Sequence, residues 1–300
     1  MTILPGVSEL PKNALGDYRP DFLITGTSAG DFTERYLWEE ASRLNIKSMA
    51  VLDSWINYGV RFSRYGLKDL HLFDGKCDYL PNYICVMDDI AKEDMIKEGA
   101  PEDLIVVLGN PHFENIALQA RELEYCKQNK QKIIGDKYII IFASQLFEDA
   151  FRKGSEIQVL EDLIEITKDR DDIFLLIRKH SKEPIEKFQK YLCEKVRLDN
   201  NPSVMTTILS SDMVVSVNSM VLIEATFCNK RILSYQPKAI DKNDFILTRN
   251  NTIPFITKKD EFKKYFYELL NTDDSVINNT IISSGIISRI TKFVEEQVNA

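Results

Sequence analysis

Short apolar, β-branched runs alternate along this chain with longer stretches in which apolar residues recur every three to four positions. Asp21-Phe22-Leu23-Ile24-Thr25 predicts a strand, and runs at 47–52, 83–87 and 104–108 predict three more. Between them the spacing predicts helices over 32–44, 91–99 and 113–131, the first with Leu37, Trp38 and Ala41 on its inner side. A second series opens at 138–142 and continues with strands at 173–177, 213–217 and 231–235. Helices over 156–168, 184–196, 219–228 and 259–271 fill its gaps. A last amphipathic helix, 285–298, sets Ile286, Ile287, Ile290 and Phe293 at helical spacing. Residues 1–19 read as an irregular lead-in. Strands this short and this apolar fit parallel sheets covered on both faces. Strand–helix alternation twice over, split at a polar linker in 130–137, predicts an α/β fold of two Rossmann-like domains facing a cleft. The boundaries are 1–130 and 131–300, with the last helix counted in the second domain.

Composition narrows the classes. Across 300 residues the apolar fraction is 44% and the charged fraction 28%, as in ordinary globular proteins. A net charge of −8 argues against broad nucleic-acid binding but leaves room for a local basic pocket. No apolar run reaches the roughly 20 residues that cross a bilayer, and the first residues lack the basic start and apolar core of a signal peptide. The five cysteines are scattered without a Cys-x-x-Cys pair, which fits reduced thiols in the cytoplasm.

Several strand ends carry candidate chemistry. Val214-Val215-Ser216-Val217 runs into Asn218-Ser219 and then a helix bearing Glu224 and Ala225. Asn218 and Ser219 suit an N-cap whose free N–H groups favour phosphate, and Glu224 could accept two sugar hydroxyls. The alternative is an ordinary αβ unit with a capping Ser and a solvated Glu. Arg178-Lys179-His180-Ser181 is the one concentrated basic spot, able to neutralise a diphosphate as its bond breaks, or else a charged surface turn. Ser144 and Gln145 follow the first strand of the second series and face the same way. In the first series, Asp31 and Glu34 flank the small-residue turn 26–30, and Asp53 ends a strand with Trp55, Asn57, Tyr58, Arg61 and Arg64 close behind. Asp31 and Glu34 could each take a proton from a hydroxyl or simply balance a helix start; the stretch after Asp53 could stack on a sugar or bind an anionic acceptor, or else be a half-buried loop with Trp55 and Phe62 in the core. Asp88 and Asp89 read as helix caps. The histidines at 71, 112 and 180 are too dispersed for a metal set, and no Walker loop or Gly-x-Gly-x-x-Gly is present.

With these residues in order, the chain resembles the two-domain glycosyltransferases of the GT-B fold. The likeness is to the branch of bacterial lipopolysaccharide and capsule synthesis, which shades into sugar 2-epimerases and teichoic-acid glycerophosphotransferases. Gly109-Asn110-Pro111-His112-Phe113-Glu114 looks like the family's segment at the domain junction. Lys179-His180-Ser181 looks like its basic-His-Pro motif, with Ser181 in place of proline, and Ser219 through Glu224-Ala225 looks like its donor motif. Only about 20 residues precede the strand at Asp21, so the N-terminal domain is shortened relative to the pattern.

The resemblance implies a metal-independent glycosyltransferase with no cofactor, using a UDP- or CMP/CDP-linked sugar as substrate. The donor would be held by Ser144, Lys179, His180, Asn218, Ser219 and Glu224. Asp31, before Glu34 or Asp53, would deprotonate the acceptor, Lys179 and the helix start at Ser219 would stabilise the departing phosphate, and His180 counts among the catalytic residues. The expected partners are the nucleotide sugar and a glycan or lipid-linked glycan acceptor, not nucleic acid. A lipid-linked acceptor would bring the protein peripherally to the inner membrane face. The same scaffold also admits a nucleotide-sugar 2-epimerase or hydrolase, or a non-catalytic binding protein.

Overall fold

The computed structural model describes residues 14–123, 137–147, 152–241, 245–272 and 284–299. The expected linker at 130–137, except Lys137, and Cys126 lie outside them. The chain divides into two compact units, 1–114 with 283–300 and 115–282.

The first unit is built on four parallel strands, β1 (Phe22–Thr25), β2 (Lys47–Val51), β3 (Tyr83–Val86) and β4 (Ile105–Val107), hydrogen-bonded in sequence order. One face carries Leu23, Ala50, Ile84, Val86 and Ile105. Onto it pack Leu15 of α1 (Ala14–Tyr18), Leu37, Trp38 and Ala41 of α2 (Thr33–Arg43), and Ala91 and Met95 of α3 (Asp89–Lys97). The lead-in thus contains a short helix that its glycine and prolines obscured. Asp88 caps α3, its Oδ1 accepting the Ala91 N–H at 2.8 Å, while its Oδ2 accepts the Trp55 indole N–H at 2.8 Å.

Because strand side chains alternate between faces, Met49 and Cys85 point to the opposite side. There they meet Ile286 and Ile290 of the terminal helix, Ile286–Asn299. The Phe293 ring sits edge-on to Tyr83 at 5.0 Å, and Tyr83 Oη donates to Gln297 Oε1 at 2.6 Å. Counting this helix with the second domain therefore needs correction. Chain order suggested it, but the apolar stripe at 286, 290 and 293 is complementary to the first sheet.

Its anchor is the Gly109–Glu114 segment. Gly109 has φ +96°, and a Cβ there would stand 2.9 Å from Ile286 Cγ1, so glycine allows both the turn and the close approach. Asn110 donates from Nδ2 to the Leu52 carbonyl at 2.9 Å and accepts the His112 N–H at 2.8 Å, starting α4 (Pro111–Leu123). Glu114 accepts the Gly285 N–H at 2.6 Å and the Ile287 N–H at 2.7 Å, which caps the terminal helix. The segment that suggested a family is, locally, a cap and a close contact.

The second unit holds five parallel strands in the order β7 (Val196–Leu198), β6 (Ile173–Arg178), β5 (Tyr138–Ala143), β8 (Met213–Ser216) and β9 (Arg231–Ser234). Ile140, Phe142, Leu175, Ile177, Met213, Val215 and Leu233 share its main core with Val159, Leu160 and Leu163 of α5 (Ser155–Thr167) and Phe262 and Phe266 of α9 (Lys259–Leu270). Between β7 and β8 runs α6 (Val204–Ser210), and between β8 and β9 runs α7 (Met220–Phe227); the short α8 spans Ile246–Arg249. The helix expected over 184–196 is absent. Two 3-10 turns, Ile185–Lys187 and Gln189–Tyr191, lead from Pro184 to strand β7, and Phe188 alone is fully buried between them. One apolar anchor does not make the stripe a packed helix requires. No helix among the described residues is long and apolar enough to cross a membrane.

The Glu114 cap sets a pH test. Its N–H donors hold the Glu114 carboxyl below its ordinary value, the Ile287 amide foremost. A depressed carboxyl contributes stability above its unfolded-state value, and that contribution is lost as pH falls through the folded-state value. Glu114→Gln is expected to cost about 1 kcal/mol at pH 7, measured by urea denaturation, with the gap from the parent protein closing in acid.

Candidate functional site

In the second sheet, β5 pairs with β6 on one side and β8 on the other. The chain leaves β5, builds β6 and β7 outward, then returns across to form β8 and β9. Successive connections therefore diverge at the carboxyl ends of β5 and β8, opening the crevice where open α/β sheets bind ligands. The first sheet, laid down in sequence order, has no such reversal among its described strands.

Three loops meet at this edge. Ser144 follows β5 and Lys179-His180 follow β6; the two loops are tied by the Ser144 N–H bonding the Arg178 carbonyl at 2.8 Å. Asn218 follows β8. Gln145 spans the reversal, donating from Nε2 to Asn218 Oδ1 at 2.5 Å and accepting the Asn218 N–H on Oε1 at 3.0 Å. Ser216 Oγ closes the same seam onto the Ala143 carbonyl at 2.6 Å. Ser219 is the N-cap of α7, its Oγ accepting the Val221 N–H at 3.3 Å. Half-buried Glu224 lies on the second turn of that helix. All six residues expected to hold a ligand thus belong to the loops or the helix at one sheet edge.

The basic spot is smaller than the sequence implied. Arg178 Nη1 pairs with Asp199 Oδ2 at 2.7 Å and donates to the Asn201 carbonyl, so it joins β6 to the end of β7. Lys179 Nζ donates to the carbonyls of Glu183 at 2.9 Å, His180 at 3.4 Å and Ser181 at 3.5 Å, and has no carboxylate partner among the described residues. It keeps its charge at the edge. His180 Nδ1 accepts the Lys182 N–H at 3.2 Å, which leaves Nε2 as the ring's donor in the neutral form.

The sequence reading missed Glu183, which organises this corner. Its side chain is wholly enclosed. Oε1 accepts Ser144 Oγ at 3.0 Å and Lys187 Nζ at 2.6 Å, while Oε2 accepts the His180 N–H at 2.7 Å. Lys187 also reaches Glu156 Oε1 on the first turn of α5 at 2.7 Å. A glutamate two residues past a basic turn reads as solvated, and nothing local in the sequence says otherwise.

The three carboxylates of the first unit separate clearly. Asp31 is exposed, and its Oδ1 accepts both the N–H and the hydroxyl of Thr33, at 2.8 and 2.6 Å. Those bonds, the hydroxyl foremost, lower its carboxyl below the usual range. It starts a helix. Asp53 is paired with Arg61 Nη1 at 2.8 Å and is two-thirds exposed. Glu34, on the first turn of α2, has a buried Oε2 without a hydrogen-bond partner, and burial raises its carboxyl above the usual value. The lowered carboxyl of Asp31 makes it a weak base, and the raised carboxyl of Glu34 a stronger one.

Arg61 has a structural role too. From a buried position it reaches the Thr27 hydroxyl at 2.8 Å, Asp53, and Ser54 Oγ at 2.7 Å, joining the loops after β1 and β2. Below it Arg35, only 1% exposed, donates from Nε to the Arg61 carbonyl at 2.8 Å and from Nη2 to the Val60 carbonyl at 2.8 Å. Among the described residues no three His, Cys, Asp or Glu side chains converge to hold a metal.

No protein-family model matches the sequence, and no curated protein matches it. Solved structures do. The S. aureus MnaA–UDP co-structure is 14% identical with a TM-score of 0.67, covering 96% of this chain and 79% of that one. The UDP-GlcNAc 2-epimerase of Methanocaldococcus jannaschii, in complex with UDP-GlcNAc and UDP, is 16% identical with a TM-score of 0.64, covering 95% and 78%. A variant of the wall teichoic acid polymerase TagF is 13% identical with a TM-score of 0.51, covering 96% and 93%. At such identities the likeness is one of fold: the chain is an α/β protein of parallel sheets with a GT-B-like fold.

Proposed function

We propose that the chain binds a UDP-linked sugar at the carboxyl edge of its second sheet, labilises the bond between sugar and diphosphate, and passes the sugar to a hydroxyl of a surface-glycan acceptor. The observation that carries this reading is the convergence of Ser144, Lys179-His180 and Ser219 at the β5–β8 reversal. A helix start and an ammonium without a carboxylate partner among the described residues support it, since both favour the negative charge that grows as a diphosphate departs. Glu224, one and a half turns into α7, accepts hydroxyls of the ribose or sugar. UDP is preferred over cytidine nucleotides because MnaA and the Methanocaldococcus epimerase, which share this fold, were each solved with UDP.

Transfer removes a single proton from the acceptor hydroxyl. A second reading, 2-epimerisation, is favoured by the higher TM-scores of the UDP-GlcNAc 2-epimerases over TagF. It must take a proton from carbon 2 and return one to the opposite face, so it calls for acid–base groups on both sides of the sugar.

The first test is a thermal-shift and calorimetric screen of UDP, CMP, CDP, GDP and ADP against the wild type, Glu224→Ala and His180→Ala. UDP at one hundred times its dissociation constant is expected to stabilise the wild type by about 2.7 kcal/mol and to lose most of that effect in both variants. Absence of any nucleotide effect on the wild type contradicts the reading. Products then separate the chemistries: without acceptor, a transferase leaves UDP-GlcNAc intact, whereas an epimerase equilibrates it with its 2-epimer.

A further inference from the structure

Glu183, through its carboxylate or its main chain, touches every residue of the β5 and β6 loops that the preceding reading uses. Its Oε1 takes the Ser144 hydroxyl proton at 3.0 Å, and its Oε2 holds the His180 N–H at 2.7 Å. Its main-chain carbonyl takes Lys179 Nζ at 2.9 Å, and its own N–H returns to the His180 carbonyl at 2.9 Å. The side chain is fully enclosed, and the charge is met by Lys187, which is shared with Glu156. An enclosed carboxylate with charge-assisted bonds on both oxygens is a stiff fixture, because breaking any bond leaves a charge or dipole unsatisfied away from water.

We infer that Glu183 is the positioning residue of the nucleotide site: it fixes the Lys179–His180 turn against the β5 loop and turns Ser144 into a hydrogen-bond acceptor. The second half follows from counting hydrogens. A serine hydroxyl has one proton, and here Glu183 takes it, so Ser144 Oγ offers an incoming ligand only lone pairs. It cannot donate to a phosphate. It suits a ligand hydroxyl or N–H, such as a ribose or sugar hydroxyl. This assigns Ser144 to the ribose or sugar side of the donor and leaves the diphosphate to Lys179 and the start of α7. The Lys179 ammonium is held in the same turn through the Glu183 carbonyl, so a shift of the carboxylate would move both the histidine and the lysine.

The inference rests on the nucleotide-binding reading, and its test is built to fail separately from it. Glu183→Gln preserves volume and one acceptor oxygen but removes the charge. In hydrogen exchange of the full chain without ligand, the variant should lose at least tenfold in protection of the His180 amide while amides of β5 and β6 stay unchanged. Unchanged protection at His180 overturns the inference whether or not UDP binds. Calorimetry with UDP on the wild type, Glu183→Gln, Ser144→Ala and the double variant gives the second readout. Glu183→Gln is expected to weaken UDP at least tenfold, and adding Ser144→Ala to it should cost far less than Ser144→Ala costs alone. Wild-type affinity in Glu183→Gln, or fully additive losses, overturns the positioning role. If the wild type itself ignores UDP while His180 protection still falls, the function reading fails and the fixture stands. Glu183→Asp keeps the charge, and partial recovery of both readouts marks the effect as positional; a global loss of protection in all three variants would instead make Glu183 a folding residue and overturn the assignment.

Discussion

Strand β5 has to pair with β6 on one side and β8 on the other, and that reversal is the constraint from which the candidate site follows. A parallel sheet laid down in one direction presents a closed row of connections. One laid down in two directions parts its connections at a single place. The side chains at that place carry out local tasks first. Gln145 stitches the two loops across the gap, Ser219 caps a helix, and Ser216 ties β8 back to β5. The proposed function assigns to the ligand the helix start, the Lys179 ammonium, the lone pairs of Ser144 Oγ and the Glu224 carboxylate.

The two units handle buried charge differently. In the first, Arg35 and Arg61 are enclosed and directed mainly at backbone carbonyls and hydroxyls, with Asp53 the one carboxylate bonded to either of them among the described residues. Guanidinium suits this, since its fixed fork of donors can hold several loop carbonyls at once. In the second, Glu183 and Glu156 share Lys187. Each cluster fixes loops at a sheet edge that helices alone would leave loose. Each also means that loop residues at these edges are held by enclosed charges whose partners a single sequence does not mark.

That limit shows in what the sequence made legible. Every strand expected of the two series is present, because apolar, β-branched runs such as Met213–Ser216 have no other stable place than a sheet covered on both sides. Helix ends marked by Asp88 and Ser219 were legible because capping is local chemistry. Strand β7 and helix α6 were not, being three and seven residues long with too little pattern to register. Glu183 and Arg35 were invisible for another reason. Their importance lies in partners 39 and 26 residues away, and a single sequence carries no mark of such pairings. The terminal helix was recognised by its stripe but placed with the wrong sheet, since a stripe states that a helix packs and not against what. Among the carboxylates, the sequence put Asp31 before Glu34 or Asp53, and only burial and hydrogen bonding reveal that the Asp31 carboxyl is lowered and that of Glu34 raised.

The account stands on a nucleotide occupying the edge between β5 and β8. The most direct measurement is an amide-resolved NMR titration of the full chain with UDP. It should move the resonances of 144–145, 179–181 and 218–224 together, along one saturating curve, while the carboxyl ends of β1 to β4 move little. Saturable shifts clustered elsewhere in the second unit, or none at these residues, would contradict the assignment of the site.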